Sequence, residues 1–304
     1  MIRSVPVIVA LTLAGLSACS AALMAGQFSY RTGVDVAGFG VTVLNRAGEP
    51  VRNLTADDFE VREDGALQAV TYFTAGSGSD AEPLHVGLLF DISESMERDL
   101  RFSRNAAIRF LNTFPHAIEF TLVEFSEDVR AGRFAQSEFP RLVERIRNSK
   151  ATGRTAFYDA LTVYLGSAFD QTGRKVLVVY TDGGDTASSR TWTDTLRLLR
   201  GSDVTVYPIG FFTGGGSSRQ MQQSRLIEIA RLTGGRAVFP STMKDLDPMY
   251  SRIAAEIHAQ YTLGYVPTNL VRDGKWRKVD IRLKRPTSDR LQLRTREGYF
   301  APVK

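Results

Sequence analysis

The stretch "LLFDISESM", residues 88–96, ends an apolar run at Asp91 and then places an oxygen at every second position: Asp91, Ser93 and Ser95. The apolar run reads as a buried strand. An acid and two hydroxyls at its end are either a turn whose serines cap a following helix or the edge of a binding site. Which of the two holds depends on what the rest of the chain brings to that edge.

Outward from this stretch, strands and helices alternate. "LHVGLLF" leads into it, and a helix with Met96, Leu100, Ala107, Leu111 and Phe114 on one face follows. Next come "AIEFTLVEF", "FPRLVERIR", "TAFYDALTVYLGSAF", the strand "KVLVVYT" and "TWTDTLRLLR". The strand "DVTVYPIG", then "SRLIEIARLTG", the short strand "RAVFP" and "MYSRIAAEIHAQ" complete the series. Strands this rich in Val, Ile and Leu, set between amphipathic helices, imply a doubly wound, mainly parallel α/β sheet of Rossmann-like type with helices on both faces.

The flanks read differently. From Val34 to Phe73 the pattern has period two, with turns at "NRAGEP" and at Asp64-Gly65. Thr55 with Asp58 three residues on predicts one short helical turn between strands. After Gln260, "WRKVDIRLKR" alternates Val279, Ile281 and Leu283 with charged residues, and "PTSD" turns into "RLQLRTREGYF" with Leu291 and Leu293 facing in. Each flank leaves one apolar strand face uncovered, so the two are expected to form one small β module from N- and C-terminal strands. The expected boundaries are a leader over 1–26, N-terminal β strands over 27–76, a linker over 77–83, the α/β domain over 84–260 and C-terminal strands over 261–304.

Composition agrees with a globular chain: 304 residues are 43% hydrophobic. The first residues have a basic start at Arg3, an apolar run from Val5 to Leu16 and small residues after it. That run is too short to span ~30 Å of hydrocarbon, so it reads as a secretory signal and the chain as exported, to the periplasm or outer cell envelope. The single cysteine, Cys19, ends "LSAC", which resembles the lipobox of bacterial lipoproteins. Two readings stand open: acylation of Cys19, or cleavage after Ala25. With one cysteine, an intrachain disulfide is excluded. The net charge of +5 is uneven, since residues 261–304 hold eleven Lys/Arg against four Asp/Glu. Those charges alternate with apolar residues, the pattern of a solvated sheet face rather than of a surface for lipid headgroups or nucleic acid.

In a doubly wound sheet, ligands sit at the carboxyl ends of the strands. Asp91 is at one such end, Asp182 in "KVLVVYTDGGD" at another, and Thr155 in "TGRTAFYDAL" is on a loop opening a helix. Asp91, Ser93, Ser95, Thr155 and Asp182 can therefore meet, offering carboxylates and hydroxyls but no nitrogen or sulfur. Hard oxygen donors of this kind suit Mg²⁺ or Mn²⁺ better than zinc or copper.

The set resembles the metal-ion-dependent adhesion site of von Willebrand factor type A domains, with D-x-S-x-S as "DISES", the distant threonine as Thr155 and the second aspartate as Asp182. The resemblance covers residues 84–260. The flanks resemble exported bacterial VWFA-related chains, through "GEPVRNLTADDFEVREDG" before the domain and "YTLGYVP" to "REGYFAP" after it. It implies that Asp91, Ser93, Ser95 and Thr155 hold the ion directly or through water, that Asp182 acts through water, and that an acidic side chain of a protein partner completes the coordination. Asp185 is a further acid nearby, read as a solvated loop charge. Arg154 stands where relatives often carry glycine, and is read as pointing to solvent.

No G-x-S-x-G, H-E-x-x-H or P-loop is present, and His85, His116 and His258 are scattered. "FTGGGSS" lacks the Lys-Ser/Thr of a phosphate loop. The expectation is a non-enzymatic binding or adhesion module. The alternatives are a metal-assisted hydrolase with Asp182 positioning water, and a structural subunit whose ion only braces the loops.

Overall fold

The computed structural model describes residues 36–77, 81–212, 217–284 and 291–303. The expected leader with Cys19, Val34 and the "PTSD" turn lie outside them. In chain order come β1 (Ala37–Leu44), β2 (Phe59–Glu63), β3 (Ala66–Gln68) and β4 (Tyr72–Thr74), then β5 (Leu84–Asp91), α1 (Leu100–Leu111), β6 (Glu119–Phe125) and β7 (Val129–Ala135). They are followed by α2 (Phe139–Asn148), α3 (Phe157–Ala168), β8 (Arg174–Thr181), α4 (Trp192–Gly201), β9 (Thr205–Gly210), α5 (Ser217–Thr233) and α6 (Leu246–Ala259). Four strands close the chain: β10 (Tyr261–Tyr265), β11 (Trp276–Leu283), β12 (Gln292–Arg294) and β13 (Gly298–Phe300).

The central sheet has the order β7-β6-β5-β8-β9. Its strands are parallel except β7, which runs antiparallel to β6 on the edge. Both faces are covered, as the Val/Ile/Leu-rich strands require. Val86, Leu88 and Phe90 pack with Phe110, Tyr250 and Ile253 on one side, and Leu89 packs with Phe157, Leu161 and Ile229 on the other. Gly87 is a packing requirement: a Cβ there would fall 2.1 Å from the Tyr164 ring.

Three details differ from the sequence reading. The β6–β7 hairpin is absent from it, because β7 buries only Phe134 and shows no apolar run. The expected strand "RAVFP" is a single parallel bridge between Val238 and Ile209. Met96 belongs to a 3₁₀ turn (Glu94–Met96), and α1 starts at Leu100.

The flanking strands do combine into one β module of two four-stranded antiparallel sheets, β12-β1-β10-β4 and β13-β11-β2-β3. β1 lies between two C-terminal strands, pairing Ala37 with Tyr265 and Thr42 with Arg294. β2 pairs with β11, Val61 opposite Ile281. The shared core includes Phe39, Val41, Phe59, Val61, Tyr261, Tyr265, Val279, Ile281 and Tyr299. Asp64 (φ 48°) and Gly65 (φ 89°) form the two-residue turn joining β2 to β3, which needs two left-handed residues. The turn before β2 spans Ala56–Asp58, where Thr55 N donates to Asp58 Oδ2 over 2.8 Å.

α6 runs through Gln260 into β10, and Arg174 at the start of β8 donates to Gly76 O and Ile257 O. The β module therefore abuts the amino ends of the parallel strands, and their carboxyl ends face away from it. Among the described residues no helix is long and apolar enough to cross a membrane.

Candidate functional site

Asp91 is the last residue of β5 and has no exposed surface. Its Oδ1 accepts from Ser93 N at 2.9 Å and Ser93 Oγ at 2.6 Å, and its Oδ2 accepts from Thr181 Oγ1 at 2.6 Å. Ser93 Oγ is 3.0 Å from the hydroxyl of Ser95, which is exposed. The alternation of "DISES" thus produces a short ladder of oxygens running from the buried carboxylate to the surface.

Backbone bonds fix the neighbouring loops against this ladder. Ile92 N donates to Phe125 O at 2.8 Å, Thr152 N to Ile92 O at 2.8 Å and Glu94 N to Gly153 O at 3.1 Å. Gly153 is left-handed at φ 68°, so glycine suits it. Thr155, buried at the head of α3, receives Thr186 N at 2.8 Å and Ala187 N at 3.0 Å on its carbonyl, and its own N–H donates to Thr186 Oγ1 at 3.0 Å. Asp182 follows Thr181, and its Oδ1 accepts from Gly184 N at 2.9 Å. The loops after β5, β8 and before α3 are therefore one connected surface.

Burial pushes the Asp91 carboxyl up to about 7; bonds from Ser93 and Thr181 oppose this, and the charge of Asp182 adds to it. Among the described residues Asp91 has no Lys or Arg ion pair, and the nearby charge it feels is another carboxylate. Asp185 is not a free loop charge: its carboxylate accepts from Ser188 N at 3.1 Å and Tyr158 N at 3.4 Å, tying its loop to the start of α3. Arg154 pairs with Glu127 at 2.9 Å while staying largely exposed. Among the described residues no group of three or more His, Cys, Asp or Glu side chains gathers as a metal cage, so hydroxyls supply most of the donors at this edge.

Thr181 is the residue that sequence reasoning missed. The signal was available in strand register: Phe90 pairs with Tyr180, which sets Thr181 beside Asp91. A groove of about 670 Å³ opens next to these loops, lined by Ile92, Ser126, Arg130, Arg145, Lys150 and Thr152 among others.

The model of the von Willebrand factor type A domain matches residues 85–251, more than half of the chain. The chain belongs to that family. Membership fits an adhesion or protein-interaction module. Among solved structures, the chain is similar to a von Willebrand factor type A protein from Catenulispora acidiphila, at 14% identity over 90% of this chain and 76% of that one, with a TM-score of 0.48. It is similar to the pilus adhesin SpaC from Lactobacillus rhamnosus GG in an open conformation, at 11% identity and TM-score 0.49, over 86% of this chain and 48% of the adhesin. BatB from Bacteroides thetaiotaomicron is 14% identical over 56% of this chain and 97% of BatB, with a TM-score of 0.44. No curated protein matches the chain.

Proposed function

We propose that this von Willebrand factor type A domain protein is an exported cell-envelope module that captures a protein partner through Mg²⁺ or Mn²⁺. Asp91, Ser93, Ser95 and Thr155 would hold the ion, with Asp182 acting through water. The observation that carries this reading is Asp91 itself: a carboxylate wholly out of solvent, with hydroxyl and N–H donors but no basic partner among the described residues. An ionised carboxylate in such a place is costly unless a cation compensates it. The donor set, mostly hydroxyl oxygen with few charges, suits a hard divalent ion that keeps open positions.

A bound ion would supply a net positive, exchangeable position for an anionic oxygen. The protein's residues do the rest. Thr181 and the Ser93 N–H orient Asp91, and the exposed Ser95 marks where the site reaches solvent. The adjacent groove is lined by five Lys or Arg residues against three acids, an excess that favours an acidic partner surface, so the expected ligand atom is an Asp or Glu oxygen.

Calorimetry with Mg²⁺ and Mn²⁺ on wild type and Asp91→Ala, followed by capture from envelope extract with and without EDTA, tests the proposal. One binding site lost in the variant, and capture lost on chelation, is the expected result. Binding unchanged in the variant would exclude Asp91 from holding the ion.

A further inference from the structure

The far end of the β module carries a group of exposed apolar residues that the metal face does not use. In the loop between β10 and β11, Leu270 and Val271 are 75% and 60% exposed, and Val303 is 50% exposed. Val303 forms a bridge with Asp273 of the same loop, which brings these side chains to one tip. Leu67, 60% exposed, is on the neighbouring strand, where Gln68 bonds to Thr268 through both its amide atoms at 2.9 and 3.0 Å.

The tip also has an aromatic and a basic part. Trp276 and Phe300 meet edge to face at 5.1 Å, and both are half-buried. Arg272, Lys275 and Lys278 are exposed around them. The acid in the loop, Asp273, is shared between Arg277 at 2.9 Å and Lys275 at 3.7 Å, so it offsets only part of the positive charge at the tip. Exposed aliphatic side chains, a half-buried tryptophan and a basic rim together match the water–lipid boundary, where Trp sits at headgroup depth and Lys or Arg meets anionic headgroups.

Placement decides between a lipid surface and other occupants. β10 leaves α6 at Tyr261 and ends at Tyr265, so the loop that follows starts at the end of the strand away from the α/β domain. Ala37 pairs with Tyr265. The chain therefore enters the described fold at Val36 beside this same tip, and acylation of Cys19, one of the two readings of the leader, would tether the tip to a bilayer. The metal-site loops are at the opposite ends of the parallel strands, and the eight residues of β5 alone separate the two ends by ~25 Å at about 3.3 Å per residue.

We propose that the tip formed by Leu270, Val271, Trp276, Phe300 and Val303 with its basic rim docks on an anionic lipid bilayer and so directs the Asp91 face away from the membrane. The contact is shallow, with the aliphatic side chains entering the headgroup boundary and Lys275 and Lys278 meeting lipid phosphates. It needs no metal and stands apart from partner capture.

The chain has two tryptophans, Trp192 and Trp276, so Trp192→Phe makes fluorescence report the tip alone. The full chain carrying that change is added to vesicles of equal parts phosphatidylcholine and phosphatidylglycerol, with the phosphatidylcholine brominated high on its acyl chains. Expected is quenching of Trp276 of about twofold, reduced by Leu270→Ser with Val271→Ser and, at higher salt, by screening of the basic rim. These positions are exposed, and circular dichroism checks that the variants are folded. Trp276 emission unaffected by brominated lipid would overturn the proposal, as would quenching undiminished in the double variant. Crosslinking of Lys275 between copies in the absence of vesicles, without lipid quenching, would make the tip a self-association surface and likewise overturn it.

Discussion

Thr181 Oγ1 donates to Asp91 Oδ2 over 2.6 Å and joins the ends of two neighbouring parallel strands. The same hydroxyl accepts from Gly183 N at 3.0 Å, so it orients the carboxylate and the loop carrying Asp182 together. Thr181→Val keeps the shape and removes the donor. A buried charged acceptor that loses a bond costs about 1–3 kcal/mol, which urea denaturation should read. On the proposed function, Mg²⁺ affinity should fall about 10- to 100-fold, the usual effect of removing a group that orients a ligand. Calorimetry showing unchanged affinity would leave Thr181 a purely structural residue.

Asp91→Asn separates the requirements of folding from those of the metal. In the metal-free protein the buried carboxylate has no basic partner among the described residues, and the variant's amide can still accept from Ser93 N and donate to Thr181 Oγ1. Its metal-free stability is therefore expected to equal or exceed that of wild type. Saturating Mg²⁺ at 100 times Kd should stabilise wild type by about 2.7 kcal/mol and the variant by nothing. Thermal denaturation with EDTA and with Mg²⁺ reads both, and an equal Mg²⁺ shift in the two proteins would contradict the assignment.

Much of this arrangement was legible because it is local. Asp91, Ser93 and Ser95 lie within five residues, and the Val/Ile/Leu strands announce a sheet buried on both faces. The paired flanks were legible from physics of the same kind: Val279 and Ile281 needed cover, and the other sheet of the module supplies it through Phe39 and Val41 of β1. What was hidden depends on contacts distant in sequence. Thr181 acquires its role from strand register, and β7 is held by its pairing with β6 although its own residues are mostly exposed. "RAVFP" misled in the other direction, since its Val and Phe fit a strand but only Val238 finds a partner in the sheet.

Two histidines, His85 buried and His258 half-buried, set an acid limit on stability. Burial holds His85 and His258 below the ordinary histidine range, with bonds to Thr172 O and Thr113 O opposing it. The unfolded chain then takes up protons below about pH 6.5 that the native chain refuses. Stability from these groups is present above that pH and lost as pH falls through their native values. Asp91 acts in the opposite sense, because its carboxyl is raised. The test is therefore the difference between wild type and His258→Gln or His85→Gln in urea midpoints at pH 7.5 and 5.5. Each variant should lose less stability on acidification than wild type; an equal loss would remove that histidine from the account.

The join between the α/β domain and the β module rests on a buried charge network rather than on apolar contact alone. Glu256 of α6 is 1% exposed; it pairs with Arg236 at 2.8 Å and with Arg294 of β12. Arg296 extends the join, donating to Ser202 O at 3.0 Å and Gly38 O at 2.7 Å while lying over the Phe39 ring at 4.6 Å. Glu256→Ala leaves two guanidinium groups facing each other without their shared carboxylate, and removing one partner from such a pair costs about 3–5 kcal/mol. Replacing the whole set by apolar residues would be far milder, since the buried charges cost solvation in the wild type too. The single variant should therefore lower the urea midpoint steeply. Because β12 pairs with β1, it should also expose residues 37–44 to proteolysis. A stability loss under about 1 kcal/mol, the value of a surface pair, with β1 still protected, would show that the modules are held by their apolar contacts instead.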